Sequence, residues 1–266
     1  MKYRDDVKYY SRNGELIPII NFPVELASKS GLAYEVLRIK NSLPLFIDEH
    51  LQRLKQSILL NSSNQLEISN IKKYIEDIIS VNYIIEGNLK LLISPENSTT
   101  SVYLYFIPHR YPSVKQVEKG VDLITQRSIR KNPTAKISDW NIRGKANALI
   151  DANNIYETVL VNSNGEITEG SRSNIFFIKN EVLFTAKDES VLSGITRQKV
   201  IEIARNMKIE IVFSNVIYTN IDNYDSCFIT GSSPGVLQVK SIDTIYFNLN
   251  NQVYLDIREK YEKMSE

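Results

Sequence analysis

Between Asn132 and Arg197 the chain reads Pro133-Thr-Ala-Lys136, then Ile167-Thr-Glu169-Gly170-Ser-Arg-Ser-Asn174, then Leu192-Ser-Gly194-Ile195-Thr196-Arg197. Each piece alone has a plain explanation, since lone lysines and strand-end carboxylates are ordinarily solvated surface charges. Order and spacing give them weight. Lys136 follows an extended, proline-containing loop and stands at the entrance to a helix whose inner face is Ala146, Leu149 and Ile150. Thr158 to Val161 reads as a strand, Asn162-Ser-Asn164-Gly165 as a hairpin turn, and Glu166 to Gly170 as the returning strand. Gly194 then opens a helix with Val200, Ile203, Ala204 and Met207 on its core face. Such a helix start offers free backbone N–H groups and the positive end of a dipole to an anion. A reactive amine here has two rivals to Lys136, namely Lys131 and Lys145.

Outward toward the N-terminus, Asn13-Gly14 marks a tight turn, and Tyr34-Glu-Val-Leu-Arg38 reads as a strand. Alternation puts Tyr34, Val36 and Arg38 on one face and Glu35 and Leu37 on the other. Asp48 is the expected N-cap of a helix whose stripe is Leu51, Leu54 and Ile58. Arg53 lies beside that stripe, where an arginine either snorkels to solvent or turns its planar fork on an anion. A second helix carries Ile71, Tyr74, Ile75, Ile78 and Ile79 at helical spacing, and strands follow over 88–93, which holds Lys90, and 101–107. The segment Arg110-Tyr-Pro-Ser-Val is the expected boundary between domains spanning 1–113 and 114–266. Toward the other end, Phe228-Ile-Thr230-Gly231-Ser232-Ser233-Pro234 ends a strand in a polar turn, and residues 251–266 form an amphipathic helix.

The composition narrows the class. At 266 residues, 42% apolar and 24% charged, the chain can bury the core of one large or two modest soluble domains. A net charge of +1 with signs intermixed argues against nucleic acid as a partner. The densest basic cluster, Arg127-Ser-Ile-Arg130-Lys131, reads as a solvated loop. The start is too charged for a secretory signal, and no run of about 18 apolar residues could span a membrane. Cys227, the single cysteine, lies in an apolar strand-like run and fits a buried thiol in a reducing, cytoplasmic setting. No carboxylates stand at ligand spacing around the two histidines, His50 and His109, so no metal site is expected.

Taken together, these motifs resemble the pyridoxal 5'-phosphate enzymes of fold type IV, the class IV aminotransferases. That group holds branched-chain and D-amino acid aminotransferases, with aminodeoxychorismate lyase as a close relative. The aromatic-Glu-x-x-Arg strand is present as Tyr34 to Arg38, and the helix start His-Leu-x-Arg-Leu as His50 to Leu54. The resemblance implies a two-domain α/β fold with the cofactor at the domain interface, and a homodimer whose partner completes the site. It assigns Lys136 the Schiff base with the cofactor aldehyde, at the family's distance from Tyr156-Glu157, and then the role of general base at the substrate's alpha carbon. Arg53, the backbone of Ile195 and Thr196, and Ser232 would hold the phosphate. Glu169 would face the pyridine nitrogen, making the ring an electron sink. Tyr34, Arg38, Lys90 and Ser233 would line the substrate side.

The implied reaction moves an amino group between an amino acid and a 2-keto acid. Lys90 stands where branched-chain aminotransferases carry arginine and the lyase carries lysine. The alternative is therefore an aminodeoxychorismate-type lyase releasing pyruvate, against which stands Val36 where that lyase carries threonine. A cofactor-binding protein without activity is the alternative from another class. The sequence departs from the family pattern at Ser28-Lys-Ser-Gly31, in place of a Gly-Asp-Gly type turn, and at Ser138-Asp139-Trp140, just after the lysine.

Overall fold

The computed structural model describes residues 3–61, 70–96, 99–109 and 111–266; Arg110 of the expected boundary, with Met1 and Lys2, lies outside them. Two compact units emerge, one formed by Met1–Arg110 with Ala135–Trp140 and the other by Tyr111–Thr134 with Asn141–Glu266. The segment carrying Lys136 thus packs with the first unit, although it follows the start of the second in the chain.

Among the described residues, the first unit is built on a six-stranded sheet. Its elements in chain order are β1 (Tyr9–Arg12), β2 (Glu15–Pro18), β3 (Tyr34–Lys40), β4 (Leu43–Pro44), α1 (Ile47–Asn61), α2 (Ile71–Val81), β5 (Gly87–Glu96) and β6 (Thr99–Ile107). The strand order is β2-β1-β6-β5-β3-β4, with neighbours antiparallel throughout. Both faces of this sheet are covered. Leu37, Ile39, Leu89 and Leu91 pack against the expected helical stripes, Leu51, Leu54 and Ile58 on α1 and Ile71, Ile75, Ile78 and Ile79 on α2. The other face, with Leu92, Tyr103, Tyr105 and Ile107, is covered by Phe22, Leu26, Ala27 and Leu32. Burying each such leucine, isoleucine or phenylalanine contributes about 1.5–3 kcal/mol. Asn13 and Gly14, at φ 53° and 89°, make the β1–β2 turn where the sequence placed it.

One expectation is corrected here. Asp48 is not the N-cap of α1, because the helix already runs at Ile47 and the His50 N–H bonds the Phe46 carbonyl. Asp48 instead stands in the first turn, where a carboxylate suits the helix dipole, and pairs with Lys72 on α2 at 2.5 Å.

In the second unit the elements are α3 (Val114–Lys119), β7 (Val121–Arg127), α4 (Trp140–Asn153, from Asn141 on), β8 (Glu157–Val161), β9 (Glu166–Gly170), β10 (Asn174–Lys179), β11 (Val182–Thr185), α5 (Ile195–Asn206), β12 (Ile211–Phe213), β13 (Val216–Ile217), β14 (Ser226–Gly231), β15 (Gly235–Ile242), β16 (Ile245–Tyr246) and α6 (Gln252–Met264). They form a mixed ten-stranded sheet ordered β12-β11-β10-β14-β15-β7-β8-β9-β13, with β16 on β15. Three pairs in this sheet are parallel, β7 with β8, β11 with β12 and β15 with β7, and α4 and α5 supply the crossovers of the first two. The β8–β9 turn is held by Asn162, whose side-chain oxygen accepts from the N–H groups of Asn164 and Glu166. Cys227 is fully buried in this unit's core with Ile229, Leu237 and Val239, and burial pushes its thiol well above the ordinary range.

Candidate active site

In the first unit, strand alternation on β3 sends Glu35 inward toward α1, where an unpaired carboxylate would be costly. It is not unpaired. Arg53 donates from Nε to Oε1 at 2.8 Å and from Nη2 to Oε2 at 2.7 Å, and His50 Nδ1 lies 2.7 Å from Oε2. Helical spacing places His50 and Arg53 one turn apart, so both reach one carboxylate. Burial alone would raise the Glu35 carboxyl, but the charge and hydrogen bonds of Arg53, then His50, hold it far below the usual carboxylate range. His50 is pushed down by burial foremost, with Arg53 and Lys136 adding to the push and Glu35 opposing it. A neutral imidazole donating Nδ1–H to Glu35 follows, which is a hydrogen bond and not an ion pair.

Lys136 is half-buried, whereas its rivals Lys131 and Lys145 are exposed. Its main chain is clamped from two sides, the N–H by Ser57 Oγ on α1 at 3.0 Å and the carbonyl by the Tyr34 N–H at 3.1 Å. An antiparallel bridge between Ala33 and Ile137 continues the clamp. Beyond it, Ser138 accepts at its carbonyl from the Gly31 N–H, donates its N–H to the Leu32 carbonyl, and gives its hydroxyl to the Lys29 carbonyl. The Leu32 N–H donates to Ser138 Oγ and the Trp140 N–H to Ser30 Oγ.

The Lys136 ammonium sits 5.1 Å from the Tyr34 ring centroid, a cation–π distance. Lys90, directly opposite Val36 in the β3–β5 register, places its own ammonium 5.1 Å from the same ring and 5.6 Å from the ring of Tyr105. Tyr105 is fully buried, its hydroxyl has no partner, and burial raises it well above the ordinary phenol range. Arg38 follows on the same face of β3, half-buried opposite Asn88.

The second unit carries Glu169, Ile195, Thr196, Ser232 and Ser233. Glu169, at the end of β9, is 3% exposed. Arg130 donates from Nε to its Oε1 at 2.6 Å and from Nη2 to the Ser171 carbonyl at 2.9 Å. The Leu192 N–H donates to Oε2 at 3.2 Å, and Asn174 Nδ2 reaches Oε2 at 3.4 Å and the Leu192 carbonyl at 2.8 Å. Glu169 thereby ties β9 to the loop that leads into α5. Gly194 caps that helix with no side chain to occupy its first N–H groups. A Cβ on Gly194 would fall 2.0 Å from Asn174 Oδ1, so the close approach excludes any larger residue without a shift.

Ile195, Thr196 and Arg197 are all buried; Arg197 pins the helix start through Asp188 at 2.7 Å and the Ala186 carbonyl at 2.8 Å. Ser232 and Ser233 lie half-buried in the β14–β15 turn. Nearby in sequence, Thr230 is buried with its hydroxyl unpartnered, and so is Ser173 after β9. Sequence reasoning gives no role of their own to Glu35, His50, Ser57 or Arg130, and places Asn174 only in the segment that shapes the floor of the site. A signal existed for Glu35, a charge on the buried alternation of an otherwise apolar strand. Arg130 reads in the sequence as part of a solvated basic cluster.

These two clusters belong to an enzyme of amino-group transfer. The chain is a member of the class IV aminotransferase family, whose model matches residues 32–242. It is accordingly a pyridoxal 5'-phosphate-dependent aminotransferase with the mixed helix and strand fold of that family. Among its relatives, a probable branched-chain-amino-acid aminotransferase of Rickettsia conorii is 25% identical over 271 residues, covering 96% of this chain and 92% of that one. A D-alanine aminotransferase of Bacillus licheniformis is 27% identical over 225 residues, covering 79% and 78%. The crystal structure of the branched-chain amino acid aminotransferase of Escherichia coli shares the fold with a TM-score of 0.84 at 23% identity, over 97% of this chain and 95% of that one. No helix among the described residues is long and apolar enough to cross a membrane.

Proposed function

We propose that this aminotransferase works through Lys136 as the lysine bonded to the cofactor, with an amino acid and a 2-keto acid as substrates. The observation that carries the assignment is the contrast among three lysines: Lys131 and Lys145 are exposed, whereas Lys136 is half-buried, clamped at both backbone groups and close to other cations. Nearby positive charge favours the neutral, nucleophilic amine.

The residues present fit the cofactor. Each unit by itself carries groups that suit its phosphate: the Arg53 guanidinium in the first, and in the second the start of α5 at Ile195 and Thr196 and the Ser232 hydroxyl, with the buried hydroxyls of Thr230 and Ser173 as further donors. When bound, the cofactor supplies a carbonyl for the substrate amine and a ring that accepts the electron pair released at the substrate's alpha carbon. Glu169 holds the proton on the ring nitrogen. Once the substrate amine has taken its place, the freed Lys136 amine would act as the general base that moves the alpha proton. Tyr34, Arg38, Lys90 and Ser233 orient the substrate, Lys90 as a point charge for a carboxylate. We further assign the protein to a reducing compartment, the cytoplasm, and to a homodimer; the buried unpaired Cys227 supports the first, and the family resemblance the second.

The experiment is the visible spectrum of the purified protein before and after L- and then D-amino acids, branched-chain amino acids and alanine among them. Bleaching of the bound-cofactor band by one set names the substrate class. Lys136→Ala should lower turnover by about 10²–10⁴-fold or more with the fold intact; transamination at the parent rate would refute the assignment. Lys90, lysine as in the lyase, keeps one second activity in view. Pyruvate released without a keto-acid acceptor, while the band stays fixed, would establish it.

A further inference from the structure

We infer that Arg130 is a positioning residue acting through Glu169, fixing the orientation and charge with which that carboxylate meets the cofactor's ring nitrogen; the inference rests on the role proposed above for Glu169. Its guanidinium makes two contacts with one short stretch of chain, Nε to Glu169 Oε1 at 2.6 Å and Nη2 to the Ser171 carbonyl at 2.9 Å. Two anchors in the plane of a rigid fork fix the guanidinium, and the guanidinium then fixes one carboxylate oxygen. The other oxygen takes the Leu192 N–H at 3.2 Å. Glu169 is therefore held from opposite ends by groups that arrive from different loops.

The Glu169 side chain is 4% exposed and that of Arg130 22%, so water screens the pair little on the carboxylate's side. A guanidinium at this distance favours the ionised carboxylate. That matters chemically because an ionised carboxylate can only accept, whereas a protonated one would offer its own hydrogen to the ring nitrogen. Lys131, the next residue, is exposed, so the position is a matter of Arg130 itself and not of loop charge in general.

The test is a double-mutant cycle on the holoenzyme, read as the dissociation constant for pyridoxal 5'-phosphate and the pH profile of the bound cofactor's absorbance. The variants are Arg130→Met, Arg130→Lys, Glu169→Gln and the Arg130→Met/Glu169→Gln pair. Arg130→Met is expected to weaken cofactor binding by about tenfold and to move the pH profile as Glu169→Gln does. In the Glu169→Gln background it should cost nothing more. Arg130→Lys, which keeps the charge and loses the fork, should fall between parent and Arg130→Met, and it decides the matter if Arg130→Met does not fold. Losses that multiply across the cycle, or an unmoved pH profile, would overturn the inference and make Arg130 a loop anchor. If Glu169→Gln itself changes neither readout, the role of Glu169 fails and that of Arg130 with it, while the assignment of Lys136 stands on its own variant.

Discussion

The two units embed their site charges in opposite ways. In the first, one carboxylate is gripped on one face of β3 and cations gather on the other: Arg53 holds Glu35 with two nitrogens, while Lys90 and Lys136 share the Tyr34 ring. In the second, one carboxylate, Glu169, is the centre, and a guanidinium, the Leu192 N–H of a loop and the Asn174 amide of β10 converge on it. The Glu35–Arg53 pair joins a core strand to a core helix, with side-chain exposures of 0% and 7%. Arg130 reaches Glu169 from a loop and keeps 22% exposure. Breaking the first pair should therefore cost the fold, and breaking the second mainly the geometry of the site.

The largest effect is expected at Glu35. Glu35→Gln leaves the Arg53 charge buried without its counter-ion and should destabilise the protein by about 3–5 kcal/mol in chemical unfolding. A loss below about 1 kcal/mol would mean that the pair breaks even against solvent and that the contrast between the units is false. The same cluster sets an acid limit whose sign is determined. Glu35 is held below its ordinary 4.5, so its contribution is complete above that pH and is lost as the pH falls further. His50 is held below its ordinary 6.5, so the unfolded chain takes up a proton that the folded chain refuses, and stability declines from about that pH downward. His50→Asn, which keeps a donor near Nδ1, should remove the upper limb of the decline and leave the lower one.

Next in size is Gly194→Ala. The added Cβ meets Asn174 Oδ1 at 2.0 Å, so Asn174 must give up its hold on Leu192 and Glu169. Overpacking of this kind costs about 1–3 kcal/mol, and cofactor affinity should fall with it; an unchanged affinity would uncouple the helix start from Glu169. The smallest effects belong to the exposed lysines. Lys131→Ala and Lys145→Ala should stay within about 0.5 kcal/mol of the parent in stability and leave turnover alone. A large loss of activity in either would reopen the choice of lysine.

Much of this was legible beforehand, for reasons that differ by residue. The stripes Leu51/Leu54/Ile58 and Ile71/Ile75/Ile78/Ile79 are core because periodicity is a local property, and helices obey it wherever the sheet covers them. Asp48 lies two positions inside the cap at Phe46, since a carboxylate suits both the N-cap and the first turn. Glu35 could have been paired with Arg53 in advance, because a charge alternating with Leu37 and Ile39 demands a buried partner. Arg130 offered no such sign. A guanidinium in a loop with Arg127 and Lys131 looks like any solvated cluster, and its partner lies far along the chain across a strand whose position only the fold supplies.

The hydrogen bonds around Ser138 have a consequence for how this chain can vary. The two stretches in which it leaves the family pattern, Ser28–Gly31 and Ser138–Trp140, are bonded to each other through the Ser138 carbonyl and hydroxyl and the Ser30 hydroxyl. They form one hydrogen-bonded unit. A chimera that restored a relative's turn at 28–31 alone would strand its counterpart beside Lys136, and only a graft of both should carry the lysine's backbone across intact.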